Sequence, residues 1–304
     1  MDLEKAYQEL SDFLEPDQIL QQESMRKHTS FRIGGPVDLM VLPAKVEQIQ
    51  RALEILRDCN VPLMVMGNGS NLLVKDKGIR GAVIKIADRF SRTEVKGETI
   101  LAQAGILLSA LSRLALKSSL KGLEFASGIP GTLGGAVTMN AGAYGGEMKD
   151  VIKWVSILDE DGKIKILEKE ELALGYRTSI IQNTKKIVLE VFMQLNKGDY
   201  LESKALIQEL TRRRQEKQPL SYPSAGSAFK RPVGYYAGKL IQDAGLKGMR
   251  VGDAQISEKH SGFIINLGNA TACDVIKLIE KAKIKVKEQT GVELHPEVRI
   301  VGED

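Results

Sequence analysis

Seven glycines fall within nineteen residues, GIPGTLGGAVTMNAGAYGG, from Gly128 to Gly146. An average composition puts roughly one or two there. Each glycine costs more conformational entropy on folding than any other residue. Such a density therefore needs a return, either very close backbone packing or a ligand held against the main chain. A smaller cluster, Gly67-Asn68-Gly69-Ser70-Asn71, directly follows the apolar run VPLMVM at 61–66. The whole chain has 29 glycines in 304 residues, and aromatic residues are only 5%. Much of the glycine excess is thus concentrated in two loops.

Three ligand geometries compete for the first cluster. A Rossmann fingerprint needs GxGxxG and then a helix. Here the sixth position is Leu72, and LLVKD reads as a strand. A Walker A loop ends in Gly-Lys-Ser/Thr, which neither cluster contains. A backbone nest remains, in which amide N–H groups converge on an anion with no Cβ in the way. Ser70 and Asn71 add side-chain donors to it. A tight turn between buried strands is the plain alternative for the first cluster taken alone. In Gly128-Ile129-Pro130-Gly131-Thr132, Pro130 fixes one φ and the flanking glycines permit unusual ones. That describes a rigid loop whose backbone can lie against a planar or phosphorylated ligand. A long ligand with a diphosphate would touch both clusters.

The rest of the composition excludes more than it indicates. Apolar residues are 43% and charged residues 27%, which is ordinary for a globular chain. The net charge of +4 suits anionic small molecules. Nucleic acid calls for a concentrated basic patch. The run Thr211-Arg212-Arg213-Arg214 ends an amphipathic helix, where cations favour the macrodipole, so it reads as a solvated face. Cys59 and Cys273 form no CxxC or metal spacing. No segment approaches about 18 uninterrupted apolar residues, and no signal-peptide core is present. The expectation is a cytoplasmic protein without metal, membrane insertion or nucleic-acid partner. No GxSxG elbow exists, which argues against a hydrolase triad.

The periodicities predict an α+β chain in three parts. Strand (37–42), helix (46–57) and a buried strand (61–66) make a βαβ unit. Short strands and a helix at about 106–120 follow. A hairpin then joins VIKWVSIL to KIKILE across Asp159-Glu160-Asp161-Gly162. Residues 200–217 read as a helix ending before Pro219. The irregular stretch QPLSYPSAGSAFKRP is the expected domain boundary. Beyond it come a helix around 235–244, strands around 261–268, a strong helix at 271–289 and a closing strand, PEVRIV.

Eight phrases in order carry a resemblance. They are HTSFRIGGP (28–36), GNGSN (67–71), GIPGTLGGAVTMNAGAYG (128–145), YRTS (176–179), AGSAFKRP (225–232), AGKLIQDAGLKG (237–248), HSGFIIN (260–266) and HPEVR (295–299). Together they resemble the MurB family of UDP-N-acetylenolpyruvoylglucosamine reductases, from about residue 24 to residue 301. The resemblance implies a flavin domain of the vanillyl-alcohol-oxidase (PCMH) type, with two α+β subdomains at 1–84 and 85–198. A C-terminal α+β domain for the UDP-sugar follows at 199–304. It implies non-covalent FAD, NADPH as reductant, a cytoplasmic monomer, and a role in peptidoglycan precursor synthesis. The cofactor residues become Gly67, Asn68, Gly69, Ser70 and Asn71, with Gly128, Ile129, Pro130, Gly131, Thr132, Gly134, Gly135 and Ala136.

Within the resemblance Arg177, Ser227 and Glu297 are the catalytic residues. Adding a hydride to the enolpyruvyl methylene leaves charge on the next carbon and its carboxylate. A planar guanidinium can bridge two such oxygens, which a lysine cannot. Arg177 matches that role, and Ser227 matches the acid that protonates the carbanionic centre. Lys230 or a bound water would stabilise the resulting alkoxide. Glu297 is placed against the substrate carboxylate, where it must carry or share a proton. Read without the family, Glu297 and Arg299 are a same-face pair on a strand. Tyr176, Lys230, Arg231 and His260 are expected substrate contacts. His260 serves equally well as a satisfied structural histidine, and His28 and His295 as caps of backbone groups. Arg231 departs from the asparagine common at this position, and a second cation there suits UDP. The spacing before AGSAFK leaves no room for the tyrosine-bearing insertion of one branch, so the chain resembles the shorter second type. Two readings compete with this one. One is an oxidoreductase of the same flavin fold with another substrate. The other is a non-catalytic nucleotide-binding module.

Overall fold

The computed structural model describes residues 1–304, apart from the side chain of Asn183. Local patterning explains most elements. Helix Val46–Asp58 buries Ile49, Ala52, Ile55 and Leu56 along one face, the spacing expected of a helix on a core. In the hairpin of Ile152–Leu158 with Ile164–Glu168, the Asp159 carboxylate accepts from the amides of Asp161 and Lys163. Gly162 there takes φ +78°. Helix Ala272–Thr290 opens on a capping box of Thr271 and Asp274 and closes at Gly291 in the left-handed region, the pairing of signals that bounds a helix.

Two compact units emerge, each with its own core. The first comprises 1–20, 39–68 and 81–214. It contains a five-stranded antiparallel sheet in the order Ile164–Glu168, Ile152–Leu158, Ile187–Gln194, Thr99–Gln103, Thr93–Lys96. Helix Leu133–Thr138 lies against strand Ile187–Gln194. The second comprises 21–38, 69–80 and 215–304. Its core gathers Phe31, Ile33 and Leu73 with apolar residues of helices Ala237–Asp243 and Ala272–Thr290. Strand Arg299–Val301 pairs in parallel with Leu72–Val74. A four-stranded sheet has the order Ile19–Ser24, Pro36–Val41, Ile79–Lys85, Leu63–Met66.

Two expectations need correction. The run at 61–66 is not a buried strand. Its ordered part, Leu63–Met66, is the edge of the four-stranded sheet, with Leu63 and Val65 exposed and Met66 buried. A short apolar run does not distinguish an edge from a centre. The closing strand begins at Arg299, so Glu297 lies before it, in a segment tied to residues 228–230. Glu297 and Arg299 are therefore not neighbours on one strand face. No helix among the described residues is long and apolar enough to cross a membrane. No group of His, Cys, Asp and Glu among them is arranged to hold a metal ion.

Candidate active site

In the first unit the two glycine stretches meet. A Cβ built on Gly67 would stand 2.1 Å from Thr132 Oγ1. The Asn68 side chain donates from Nδ2 to the Pro130 carbonyl at 3.3 Å. Thr132 is buried and N-caps helix Leu133–Thr138, its Oγ1 accepting from the Gly135 amide. The glycines here do different jobs. Gly134 is small because a Cβ would come within 2.9 Å of Ala104 Cβ. Gly135 is exposed, and a Cβ there would meet only Thr132 Oγ1, at 3.5 Å. Its bare backbone is left open to something outside the chain.

The hydrogen bonds narrow the expected cradle. The amides of Leu133 and Gly134 donate to the carbonyls of Ile106 and Ala104, and that of Ala136 to Thr132. Gly134, Gly135 and Ala136 therefore offer a ligand at most close approach, not their N–H groups, and Ala136 is buried besides. The loops 67–71 and 128–131 remain as the places where main chain can meet a nucleotide. Packed together at Gly67 and Asn68, with Pro130 exposed at the tip, they fit a long dinucleotide better than a compact anion.

The same stretch holds Arg177. Gly175 and Thr178 exchange backbone hydrogen bonds of 3.1 and 3.3 Å, so Tyr176 and Arg177 form the tip of a two-residue turn. Arg177 sits at φ +55°, a region a non-glycine residue rarely occupies. Four contacts hold it there. Arg177 Nη2 donates to the Gly142 carbonyl at 3.0 Å, and Gln182 Nε2 to the Arg177 carbonyl at 2.8 Å. Buried Asn140 donates to the Gly175 carbonyl, and Ser179 Oγ to that of Thr138. Tyr176 is exposed, with the Arg177 guanidinium 5.4 Å from its ring centroid. The sequence reading missed Asn140 and Gln182 as the supports of this turn. The available signal was an asparagine inside a glycine-rich stretch, since Asn tolerates positive φ; Asn140 takes φ +40°.

In the second unit residues 227–230 run as an extended segment between two others. Ser227 bridges Phe263, and Phe229 bridges Pro296. The Ala228 amide donates to Gly262, the Glu297 amide to Ala228, and the Lys230 amide to His295. Ser227 and Glu297 are thus brought onto adjoining backbone. The first glycine stretch is tied in through Asn71, whose side chain donates to the Glu297 carbonyl at 3.0 Å. Ser30, of the HTSFRIGGP phrase, donates its hydroxyl to Ser224 and its amide to Gly69. Lys230 is exposed, and its backbone amide ties it to the fold. Arg231 stacks its guanidinium 4.0 Å from the Tyr236 ring centroid and donates to the Tyr235 carbonyl. His260 is half-buried, with Nδ1 accepting from the Gly262 amide and its ring edge-on to Phe263. Burial lowers its pKa, leaving the neutral ring with its proton on Nε2.

One residue behaves against expectation. Arg212 and Arg213 pair with Glu209 on the helix surface, as a solvated face requires. Arg214 turns inward, to within 3.0 Å of where a Gly128 Cβ would lie.

Comparison with known proteins identifies the family of the chain. Residues 37–168 match the model of an FAD binding domain. Residues 218–301 match the C-terminal domain of UDP-N-acetylenolpyruvoylglucosamine reductase. The chain is 57% identical to the UDP-N-acetylenolpyruvoylglucosamine reductase of Alkaliphilus oremlandii over the full length of both. It is 53% identical to that of Clostridium tetani, covering 97% of this chain and 96% of the relative. The crystal structure of the Thermus caldophilus enzyme superposes with a TM-score of 0.80 at 37% identity, over 93% of this chain and 97% of that one. An alkyldihydroxyacetonephosphate synthase shares the fold alone, with a TM-score of 0.50 at 21% identity over 63% of this chain and 40% of that one. The chain belongs to the UDP-N-acetylenolpyruvoylglucosamine reductase family and is an FAD-binding oxidoreductase of the α+β class.

Proposed function

We propose that this protein uses NADPH to reduce the enolpyruvyl ether of UDP-N-acetylglucosamine to UDP-N-acetylmuramate. It does so as a cytoplasmic monomer in peptidoglycan precursor synthesis, with 1–84 and 85–198 as flavin subdomains and 199–304 receiving the UDP-sugar. The observation that carries the reading is the link between Arg177 and the second glycine stretch, through Gly142. A residue suited to an enolate carboxylate is fixed to the segment suited to a flavin nucleotide.

Gly67, Asn68, Gly69, Ser70 and Asn71, with Gly128 to Gly131, hold the FAD, and buried Thr132 caps the helix behind them. Gly134, Gly135 and Ala136 shape the floor beside it. When bound, FAD supplies the hydride that it has taken from NADPH. Arg177 bridges the two carboxylate oxygens on which charge develops, and its fixed turn leaves little reorganisation for the moment of reaction. Ser227 delivers the proton to the carbon beside the carboxylate. A hydroxyl is a weak acid, and it suffices here because the carbanionic centre is a strong base. Glu297 faces the substrate carboxylate in a protonated or proton-sharing state, because two bare carboxylates side by side repel. Lys230 or a bound water stabilises the Ser227 alkoxide, Arg231 supplies cationic charge suited to UDP, and Tyr176 and His260 contact the substrate.

The two half-reactions separate the roles. In Ser227→Ala, flavin reduction by NADPH proceeds at the parent rate, while reoxidation by the enolpyruvyl substrate falls by at least a hundredfold, within the range general acids contribute. Stopped-flow absorbance of the flavin reads both. Equal losses in the two half-reactions would count against Ser227 as the acid. NADPH oxidation independent of the enolpyruvyl substrate would favour a flavoenzyme of another specificity.

A further inference from the structure

The three arginines near the end of helix Tyr200–Lys217 differ in what they face. Arg212 and Arg213 share Glu209, whose carboxyl they lower to about 2. Arg214 lies against Gly128, with Cδ and Nη1 at 3.0 and 3.3 Å from the place of a Cβ. Arg214 is half-buried, and that loss of water lowers its pKa, partly offset by the nearby Tyr144 phenol. No carboxylate among the described residues pairs with it. An arginine stays charged in a protein, and a charge taken from water without a partner is costly. That cost is sensible where an anion arrives later.

Position indicates which anion. Gly128 opens the glycine stretch assigned to the flavin. Tyr144 lies two residues beyond Gly142, whose carbonyl holds the Arg177 guanidinium. Arg214 is therefore on the Arg177 side of the cradle, where hydride transfer takes place on the reading above. Given that reading, we infer that Arg214 is the cation that balances the negative charge a bound flavin ring gains on reduction. A hydride brings two electrons and one proton from the nicotinamide, which leaves as its oxidised form. The ring then carries one extra negative charge unless a second proton follows. A fixed guanidinium in a poorly solvated place favours that charged form over the neutral oxidised one. Its effect is to make the flavin easier to reduce. A cation serving the diphosphate instead would see the same charge in both redox states. It would change affinity and leave the potential alone.

The experiment compares the FAD-loaded parent, Arg214→Lys and Arg214→Gln. The midpoint potential of bound flavin is read by dye equilibration, and affinity for oxidised FAD by fluorescence quenching. Arg214→Gln is expected to weaken the preference for reduced over oxidised flavin at least tenfold, about 30 mV lower for this two-electron couple. Arg214→Lys keeps most of the parent potential, and affinity for oxidised FAD changes less than threefold in either variant. Where Arg214→Gln does not fold, Arg214→Met must show the same drop. An unchanged potential, with or without weaker FAD binding, overturns the inference and leaves the flavoenzyme reading standing. A parent chain that takes up no FAD overturns that reading and this inference together.

Discussion

His260 shows how surroundings settle what one side chain can do. Gly238 and Gly262 leave room for its imidazole, each with a Cβ position close to 3 Å from the ring. Nδ1 is occupied by the Gly262 amide, so one donor, Nε2–H, is left for a substrate oxygen. A structural histidine and a substrate contact are compatible here, and sequence reading had no means of choosing between them. The pH dependence has a definite sign. Burial lowers the folded pKa below the ordinary value of about 6.5. Between the two values the unfolded chain binds the extra proton, so the contribution is fully present above about pH 6.5 and is lost as the pH falls through the folded pKa. Urea titrations at pH 7.5 and 5.5 should show the parent losing more stability on acidification than His260→Phe. Parallel losses would mean that other groups carry the acid sensitivity. Arg214 was hidden for a related reason. A basic run at a helix end reads as solvent-facing, and only packing reveals that its last member turns inward.

Elements with a strong period were legible, and those whose meaning lies in their neighbours were not. Helix 272–290 and the hairpin across Asp159–Gly162 were readable because capping, turn residues and apolar spacing agree locally. The edge position of Leu63–Met66 was not, because edge and centre share one apolar pattern. The contact between the glycine stretches was anticipated only as two loops touching one ligand. In the fold they also touch each other, so Gly67 is a packing residue besides its proposed role toward the flavin. That predicts a double effect for Gly67→Ala. Its methyl would stand 2.1 Å from Thr132 Oγ1, so the loops must separate or Thr132 must give up its cap. Overpacking of this kind costs ~1–3 kcal/mol. Thermal melting of the FAD-free protein should show the loss, and FAD affinity should fall as well. In Gly135→Ala, where the Cβ meets only Thr132 Oγ1 at 3.5 Å, the FAD-free melt should stay close to the parent while FAD affinity drops. Equal melting losses in the two variants would remove the distinction.

At the scale of the whole molecule, the proposed catalytic residues are divided between units that each have a core of their own. Arg177 belongs to the first unit; Ser227 and Glu297 belong to the second. The stretch 67–71 changes unit between Asn68 and Gly69. The sequence contained the phrases for this but not the partition, because 21–38 and 69–80 join 215–304 through contacts distant in the chain. Stability should respond by mass action. FAD at a hundred times its dissociation constant adds ~2.7 kcal/mol. For domains of this size each kcal/mol moves the midpoint by about 2–4 °C, so calorimetry should record a rise of roughly 5–11 °C. Riboflavin at the same concentration should give much less, since it lacks the diphosphate that the two loops are suited to meet. A riboflavin shift as large as that of FAD would move the binding energy away from the loops and onto the ring. The glycine stretches would then be needed for packing alone.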